Sequence, residues 1–253
     1  IRLNGNTFSA RYWVIATGSS PDIPPIEGLE KTPYITNREI FYLEKLPASM
    51  ITLGGGPIAI EMAQAFSRLG TRVQVIQRGD QILAKEDKDM ADQVMSVLNT
   101  EGVDFHLKAE VVSARDLGSV REVVIRKGSE TLSLRADVIL VAAGRTANLD
   151  ALGLQKIGIE YNRQGLKLDD RLRTNVKHIF GAGDVTGRYL FTHAAGYEGG
   201  IVVSNAIFRL PRKVNYTFFP WCTYTDPELA SIGMNEGMAR AAGIQYAVWS
   251  EPF

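Results

Sequence analysis

An apolar run, a glycine cluster and a second apolar segment follow one another in the first third of the chain. The run Met50–Leu53 predicts a short buried strand, and the glycines after it predict a turn. Apolar positions then recur at helical spacing and predict one buried helix face, made of Ile58, Met62, Ala65, Phe66 and Leu69. Gly70 predicts the end of this helix, and Arg72–Gln77 predicts the next strand. This order of elements is typical of a parallel sheet.

The remaining pattern predicts further strands and helices on both sides of this unit. A charged helix is predicted from Asp87 or Asp89, with an apolar stripe of Met90, Val94, Val97 and Leu98. Alternating segments then predict strands over 102–107, 110–117 and 121–144, with a hairpin at 126–131. Downstream, the pattern predicts a short buried strand within 168–187, a helix over 191–208, strand-rich chain over 214–234 and a last strand within 242–253.

Two similar strand ends stand on either side of the glycine-turn unit. Residues 11–18 are predicted to form a buried strand that ends in VIATG, and VAAG, Val141 to Gly144, ends a later strand in the same way. A proline-rich stretch from Pro21 to Pro25 follows the first of these and is a candidate domain boundary.

Composition narrows the class of protein. The chain has 253 residues, 45% hydrophobic and 22% charged, which excludes a disordered or fibrous protein. Lys plus Arg and Asp plus Glu number 28 each, so no bulk charge favours nucleic acid or a membrane surface as partner. The single cysteine, Cys222, excludes an intrachain disulfide and favours a cytoplasmic location. With no initiator methionine, no basic leader and no apolar run of a membrane span, we expect a piece of a longer cytoplasmic protein.

The glycine cluster has the spacing of a dinucleotide-binding turn. Gly54 permits a tight turn, Gly56 permits close approach of a pyrophosphate, and Ala59 is small enough for the helix to pack on the strand. The helix that begins near Pro57 offers free N–H groups and a positive dipole end. The alternative is a glycine-rich turn with only a structural role; the flanking strands and helix favour the dinucleotide.

The end of the second strand decides which dinucleotide is taken. An acid there binds the ribose 2′-hydroxyl of NAD and repels the 2′-phosphate of NADP, whereas an arginine favours the phosphate. This chain has Gln77, 23 residues after Gly54, followed by Arg78. Glutamine repels neither group and arginine can pair with a phosphate. The site is therefore expected to be permissive or to favour NADP(H), unless Arg78 is only a solvated loop charge.

Six ordered sequence blocks together resemble one family. They are VIATGSSP from Val14, GGGPIAIE from Gly54, VAAGRTAN from Val141, HIFGAGDVTG from His178, LFTHAAGYEG from Leu190 and PWCTYTDPELASIG from Pro220. The chain resembles the pyridine nucleotide-disulfide oxidoreductases, flavoproteins that include lipoamide dehydrogenase, glutathione reductase and mercuric reductase. The second and last blocks are most similar to the mercuric reductase and lipoamide dehydrogenase branch.

The resemblance implies an α/β fold in which a doubly wound, Rossmann-like NAD(P)-binding domain is inserted into an FAD-binding domain. The implied domains are a partial FAD-binding domain at 1–24, the NAD(P)-binding domain at 25–147, the FAD-binding return segment at 148–212 and the start of a dimerisation domain at 213–253.

The resemblance also implies binding residues for both cofactors. For FAD these are Thr17, Gly18, Ser19, Asp184, Leu190, Phe191, Thr192 and His193. For NAD(P)H they are Gly54, Gly55, Gly56, Pro57, Ile58, Ala59, Glu61, Val111 and Gly144, with Gln77 and Arg78 at the adenosine ribose. Asp184 would accept a hydrogen bond from a ribityl hydroxyl, Glu61 would face the nicotinamide, Val111 would lie by the adenine, and Gly144 would lie by the carboxamide. Simpler interpretations are turn glycines, a capping acid at Asp184 and a solvated charge at Glu61.

Several residues are expected to stay outside the chemistry. His193 is interpreted as a residue that packs near the flavin, and His106 and His178 as surface or strand-end side chains. Cys222 is interpreted as a buried, unreactive thiol. No metal site and no catalytic residue are predicted in this chain.

The departures from the family suggest a central fragment. Its Cys-x4-Cys pair and FAD glycine turn would lie upstream of Ile1, and its catalytic His-Pro…Glu segment beyond Phe253. The implied function is hydride transfer from NAD(P)H to FAD and then to a disulfide or metal acceptor, in a homodimer. The chain alone is expected to be inactive and to retain little FAD. The alternatives are a non-catalytic nucleotide-binding module, or a cysteine-free transhydrogenase or oxidase.

Overall fold

The computed structural model describes residues 2–251, which divide into two compact units. The first unit comprises the described residues up to Ser20 together with Arg145–Tyr216, and the second comprises Pro21–Gly144 together with the described residues from Thr217 onward. The domain boundaries drawn from the resemblance stay predictions.

The elements follow in chain order. The strands are β1 (Arg2–Leu3), β2 (Asn6–Thr7), β3 (Trp13–Ile15), β4 (Ser19–Pro21), β5 (Ser49–Leu53), β6 (Arg72–Gln77), β7 (Asp104–Leu107), β8 (Ala109–Asp116), β9 (Arg121–Lys127), β10 (Glu130–Ala136), β11 (Val138–Val141), β12 (Arg145–Ala147), β13 (Ile179–Gly181), β14 (Pro220–Thr223) and β15 (Leu229–Ile232). The α-helices are α1 (Pro57–Arg68), α2 (Lys88–Thr100), α3 (Thr192–Ala206) and α4 (Glu236–Ala241). Short 3-10 helices cover Leu29–Lys31, Ile40–Tyr42, Asp150–Leu152, Leu154–Ile157 and Gly183–Thr186.

A four-stranded parallel sheet in the order β11-β5-β6-β7 forms the centre of the second unit. Every residue of β5 is buried, as expected for a strand covered on both faces. The register pairs Leu53 with Ile76 and Gln77 with Leu107, so the ends of these strands lie along one edge. The glycine turn follows β5 at this edge. The predicted α/β fold with its strand, turn, helix and strand is confirmed.

Helix α1 buries a different face from the predicted one. Its buried residues are Ala59, Ile60, Ala63 and Gln64, while Leu69 is 64% exposed and Ala65 is also exposed. Small side chains let the helix axis approach the sheet closely, and the larger Met62 and Phe66 pack only partly against the core. The predicted buried face was therefore wrong, because a different side of the helix meets the sheet.

Most of the apolar stripe predicted for helix α2 is at least partly buried in the structure. Val94 and Leu98 are buried, Val97 is partly buried, and Ala91 takes the place predicted for Met90, which is 37% exposed. A small residue again occupies the face that meets the core.

An antiparallel sheet of β8, β9 and β10 completes the central part of the second unit. Its strands pair in the order β10-β9-β8, and the predicted hairpin joins Lys127 to Glu130. One face contributes Val123 and Ile125 to a core shared with Ile51 and Ile139 of the parallel sheet. This sheet therefore stabilises the parallel sheet by apolar packing.

The chain after Thr217 packs on the same unit. β14 and β15 form an antiparallel pair, and the indole Nε1 of Trp221 donates to the Glu86 carboxylate at 2.5 Å. The Ser231 hydroxyl donates to the other oxygen of Glu86 at 2.6 Å. The strand predicted within 242–253 is not found in its described part, where Val248 and Trp249 are exposed. That prediction was wrong because a strand needs a hydrogen-bonded neighbour, and within residues 2–251 β14 and β15 pair only with each other.

The first unit has smaller sheets. β3 and β13 are parallel, with Trp13 opposite Ile179 and Ile15 opposite Gly181, and β4 pairs with β12. Val14 is 50% exposed, so the prediction of a buried strand there holds only for Ile15. The cause is that β3 has a single partner strand in the described chain.

Candidate functional site

The glycine turn of the second unit has no room for a side chain at Gly54 and little at Gly55, whereas the space beside Gly56 is open. Gly54 has a φ of +117°, and a Cβ there would lie 2.4 Å from the carbonyl oxygen of Ala142. A Cβ on Gly55 would lie 3.1 Å from the Gln77 side chain. The turn is therefore a bare backbone surface beside the ends of β5 and β6.

Helix α1 begins at this turn with unsatisfied donors. Gly56 is the N-cap with extended backbone, Pro57 occupies the first turn, and no side chain caps the helix. The first N–H groups of a helix lack intrahelical acceptors and carry partial positive charge. The N–H groups of Ile58 and Ala59 thus suit a phosphate, and Ala59 is fully buried as the small packing residue.

The loop after β6 is folded onto the glycine turn. The backbone N–H of Leu83 donates to the Gly55 carbonyl at 2.7 Å, and Nε2 of Gln77 donates to the Gln81 carbonyl at 3.1 Å. Gln77 is thus held against Gly55. Arg78 is exposed, and its side chain has no hydrogen bond or ion pair with the described part of the chain.

The other predicted NAD(P) residues of this unit, Glu61, Gly144 and Val111, each make different contacts. The Glu61 carboxylate accepts a hydrogen bond from the backbone N–H of Tyr224 at 2.9 Å. Gly144 has a φ of +143°, and its carbonyl accepts from the N–H of Asp22 at 2.9 Å. Val111 lies in β8 next to a register shift and is partly buried against the core. Their roles toward the dinucleotide stay predictions.

In the first unit, polar groups converge where β3 and β13 end. The Ser19 hydroxyl donates to Oδ2 of Asp184, and Nε of Arg145 donates to the Ser19 hydroxyl oxygen at 2.6 Å. Arg145 Nε also lies 3.6 Å from Asp184 Oδ2. Thr17 donates its hydroxyl to the Asn148 carbonyl at 2.7 Å, and Gly18 has a φ of +70°. Ligands of α/β folds bind beyond the carboxyl ends of parallel strands, which is where these groups lie.

Arg145 was missed among the candidate residues. Its signal was its place directly after the strand-ending VAAG block, where a guanidinium can reach an acid at another strand end. Nη2 also donates to the Ser19 carbonyl at 3.0 Å, so Arg145 makes two hydrogen bonds to Ser19.

The remaining predicted FAD residues form the start of α3. Leu190 and Phe191 precede the helix, Phe191 is the N-cap in extended conformation, and no side chain caps the N–H groups after Thr192. The rings of Phe191 and His193 stack with centroids 5.4 Å apart. An uncapped helix start favours negative charge, as the resemblance implies for the flavin pyrimidine.

The side chains that were expected to stay outside the chemistry differ in their exposure. His178 is exposed at the start of β13, whereas His106 is only 14% exposed and its Nε2 lies 3.3 Å from the Asp104 carboxylate. Cys222 is partly buried rather than buried. Burial, together with the negative charges of Glu228 and Glu61, raises the pKa of the Cys222 thiol, which disfavours the reactive thiolate.

Two kinds of feature are absent from the described residues 2–251. No helix there is long and apolar enough to cross a membrane. No group of three or more His, Cys, Asp or Glu side chains there is placed to hold a metal ion. The cytoplasmic location stays a prediction.

With this geometry in place, comparison with known proteins decides the family. The family model described as pyridine nucleotide-disulphide oxidoreductase matches residues 2–199. The chain belongs to this family. The predicted resemblance is thereby confirmed, and the family uses FAD and NAD(P)H.

Individual relatives agree with the family. A mercuric reductase of Lysinibacillus sphaericus is 33% identical over 244 residues, which cover 96% of this chain and 45% of the relative. A dihydrolipoyl dehydrogenase of Bacillus subtilis is 34% identical over 228 residues, covering 90% of this chain and 49% of the relative. The structure of a Cu(II) complex of the HOCl-induced flavoprotein disulfide reductase RclA from Escherichia coli superimposes with a TM-score of 0.83 at 31% identity, covering 92% of this chain and 53% of that one. The chain therefore spans about half the length of the family members it matches.

Proposed function

We propose that the second unit binds NAD(P)H at the Gly54–Ala59 turn, in a flavoenzyme whose full-length chain passes hydride from the nicotinamide to FAD. The observation that carries the proposal is the bare glycine turn at the uncapped start of α1. Backbone N–H groups there can donate to a pyrophosphate without any net positive charge on the chain. Glu61, held by the Tyr224 N–H, is proposed to face the nicotinamide end.

The donor set of the first unit fits FAD. The Ser19, Arg145 and Asp184 cluster can present a carboxylate to a sugar-alcohol hydroxyl, because one Asp184 oxygen is fixed by Ser19 and Arg145. The uncapped start of α3 offers N–H groups to an electron-rich ring edge. When bound, FAD supplies the two-electron acceptor for the hydride. The protein's own part is to hold this group and to stabilise negative charge beside it.

The adenosine end of the proposed dinucleotide site favours NADP(H) or accepts both forms. Gln77 carries no charge that would repel a 2′-phosphate, and its amide is anchored to the Gln81 carbonyl. Arg78 stands next to it with an exposed guanidinium that can pair with a phosphate. Loss of such a pair weakens binding by about 1.5–3 kcal/mol, on the order of tenfold or more in affinity.

The test measures flavin reduction in the full-length protein with NADPH and NADH. We expect Arg78→Ala to raise the concentration of NADPH needed for half-maximal reduction by about tenfold and to leave NADH unchanged. Arg72→Ala, at the opposite end of β6 and also exposed, is the matched control and should change neither. A strong NADH preference abolished by Gln77→Ala, with Arg78→Ala silent, would contradict the phosphate role.

The final acceptor is proposed to be a disulfide or a metal ion. The relatives that support this are the mercuric reductases and the flavoprotein disulfide reductase RclA, whose names indicate a mercury ion and a disulfide as what those proteins reduce. A homodimer is also part of the proposal. It is supported by apolar side chains exposed after Thr217, namely Phe218, Tyr224, Ile232, Met234 and Trp249.

A further inference from the structure

Glu198 is a fully buried acid on α3 that the proposed chemistry does not use. Its side chain is 0% exposed. An ionised carboxylate inside a protein is costly unless hydrogen bonds replace its hydration. The contacts of Glu198 therefore indicate what it stabilises.

Three donors satisfy this carboxylate. The backbone N–H of Gly183 donates to Oε2 at 2.7 Å, and the Thr186 hydroxyl donates to Oε1 at 3.2 Å. The Tyr216 hydroxyl donates to the same Oε1 at 2.5 Å. Gly183 and Thr186 are the two ends of one 3-10 helix, so Glu198 fixes that helix at both ends.

The 3-10 helix carries Asp184, which accepts from Ser19 and lies beside Arg145. It directly follows β13, so it stands at the carboxyl ends of the parallel strands. A shift of this short segment would move the Asp184 carboxylate relative to Ser19. Glu198 therefore contacts both ends of the segment that carries Asp184 without touching Asp184 itself.

Tyr216, which donates its hydroxyl to the Glu198 carboxylate, is itself surrounded by aromatic and charged groups. Its ring lies 5.1 Å from that of Tyr189 and 6.0 Å from that of Tyr197, and the Arg188 guanidinium stands 5.5 Å over it. Burial raises the pKa of Glu198 and also that of Tyr216, whose hydrogen bond to Glu198 adds to its shift. The phenol therefore stays protonated and keeps donating at ordinary pH.

We propose that Glu198, together with Tyr216, is a positioning residue for FAD retention. It holds the Gly183–Thr186 segment so that Asp184 is presented to the cofactor. This inference rests on the proposed function, since it assumes that the first unit binds FAD.

The test measures the rate of FAD release from the full-length protein by the rise in flavin fluorescence. We expect Glu198→Ala to release FAD about tenfold faster, since the Gly183 N–H is left without an acceptor. Tyr216→Phe should give a smaller acceleration. Glu198→Gln should restore a rate within about twofold of wild type, because its amide oxygen can accept from Gly183 and its NH2 can donate to the two hydroxyl oxygens.

Two controls separate positioning from general weakening of the fold. Leu98→Ala removes a buried side chain from the core of the second unit, which contains no residue of the segment, and should lower the melting temperature without faster release. Glu160→Ala removes an exposed acid and should change neither. Equal acceleration of FAD release by Leu98→Ala at an equal loss of melting temperature would overturn the positioning role.

Other results of these release measurements would overturn the inference or the proposed function. If Glu198→Ala does not fold, Tyr216→Phe carries the test, and a wild-type release rate in Tyr216→Phe would overturn the inference. A full-length wild type that holds FAD, with unchanged release in every Glu198 and Tyr216 variant, would overturn this inference alone. A wild type that holds no FAD would overturn the proposed function as well.

Discussion

At the scale of single residues, Gly54 and Gly55 differ in what an added methyl group would meet. The Cβ of Gly54→Ala would lie 2.4 Å from a backbone carbonyl oxygen at a φ of +117°, where no flexible group can yield. We expect this substitution to lower the free energy of unfolding by more than about 2 kcal/mol and to abolish dinucleotide binding. Urea denaturation and NADPH titration of the full-length protein measure both effects.

The methyl group added by Gly55→Ala would contact only a side chain. Its Cβ would lie 3.1 Å from the Gln77 side chain, which can swing away at the cost of its hydrogen bond to Gln81, about 1 kcal/mol. The double variant Gly55→Ala with Gln77→Ala should therefore lose little more stability than Gln77→Ala alone. Strictly additive losses would show that Gln77 does not fill the space beside Gly55.

The residues of the glycine turn could be predicted from sequence because their spacing is local. Gly54, Gly56, Pro57 and Ala59 fall within one turn and one helix start. Arg145 and Glu198 could not be found in this way. Arg145 donates to Ser19 across 126 positions, and Glu198 accepts from Gly183 across 15, so both contacts depend on the folded topology.

At the scale of elements, the antiparallel sheet carries a charged cross-strand row. Arg115, Glu122 and Arg135 are register partners across β8, β9 and β10, and Glu122 is 1% exposed beneath the two arginines. Hydrogen bonds from the Ser133 hydroxyl and from both guanidinium groups lower the pKa of Glu122 to about 2. The ionised form is therefore favoured in the folded sheet.

The lowered pKa gives this row a defined pH dependence. Its contribution to stability is complete above the ordinary glutamate pKa of about 4.5 and is lost as the pH falls toward about 2, because the unfolded chain then binds the proton first. We expect the free energy of unfolding to fall more steeply over this range in wild type than in Glu122→Gln. Glu110→Gln, which breaks the exposed pair with Arg126 on the same sheet, should follow wild type. Parallel curves for wild type and Glu122→Gln would contradict the role of the row.

Element order was easier to predict than helix orientation. The strands and the hairpin between Lys127 and Glu130 follow from alternation, which is a local signal. The face of α1 does not, because hydrophobicity singles out Leu69 whereas close packing on a sheet selects Ala59 and Ala63. The last predicted strand failed for a related reason, since pairing depends on a neighbour that local sequence does not specify.

At the scale of the whole molecule, the two units have separate cores and separate candidate cofactor sites. A ligand stabilises only the structure to which it binds, by about 2.7 kcal/mol at a hundredfold excess over its dissociation constant. We therefore expect oxidised NADP+, which cannot deliver hydride, to slow amide hydrogen exchange by up to about a hundredfold in Gly54–Ile60 and the Gln77–Leu83 loop. Exchange in the Gly183–Thr186 segment should be unaffected while FAD is bound. If Arg78 holds the 2′-phosphate, NAD+ measured in parallel should protect the glycine turn but protect the Gln77–Leu83 loop less than NADP+ does. Equal protection of Gly54–Ile60 and Gly183–Thr186 would mean that one dinucleotide stabilises both units, and no protection at Gly54–Ile60 would remove the glycine turn from the proposed site.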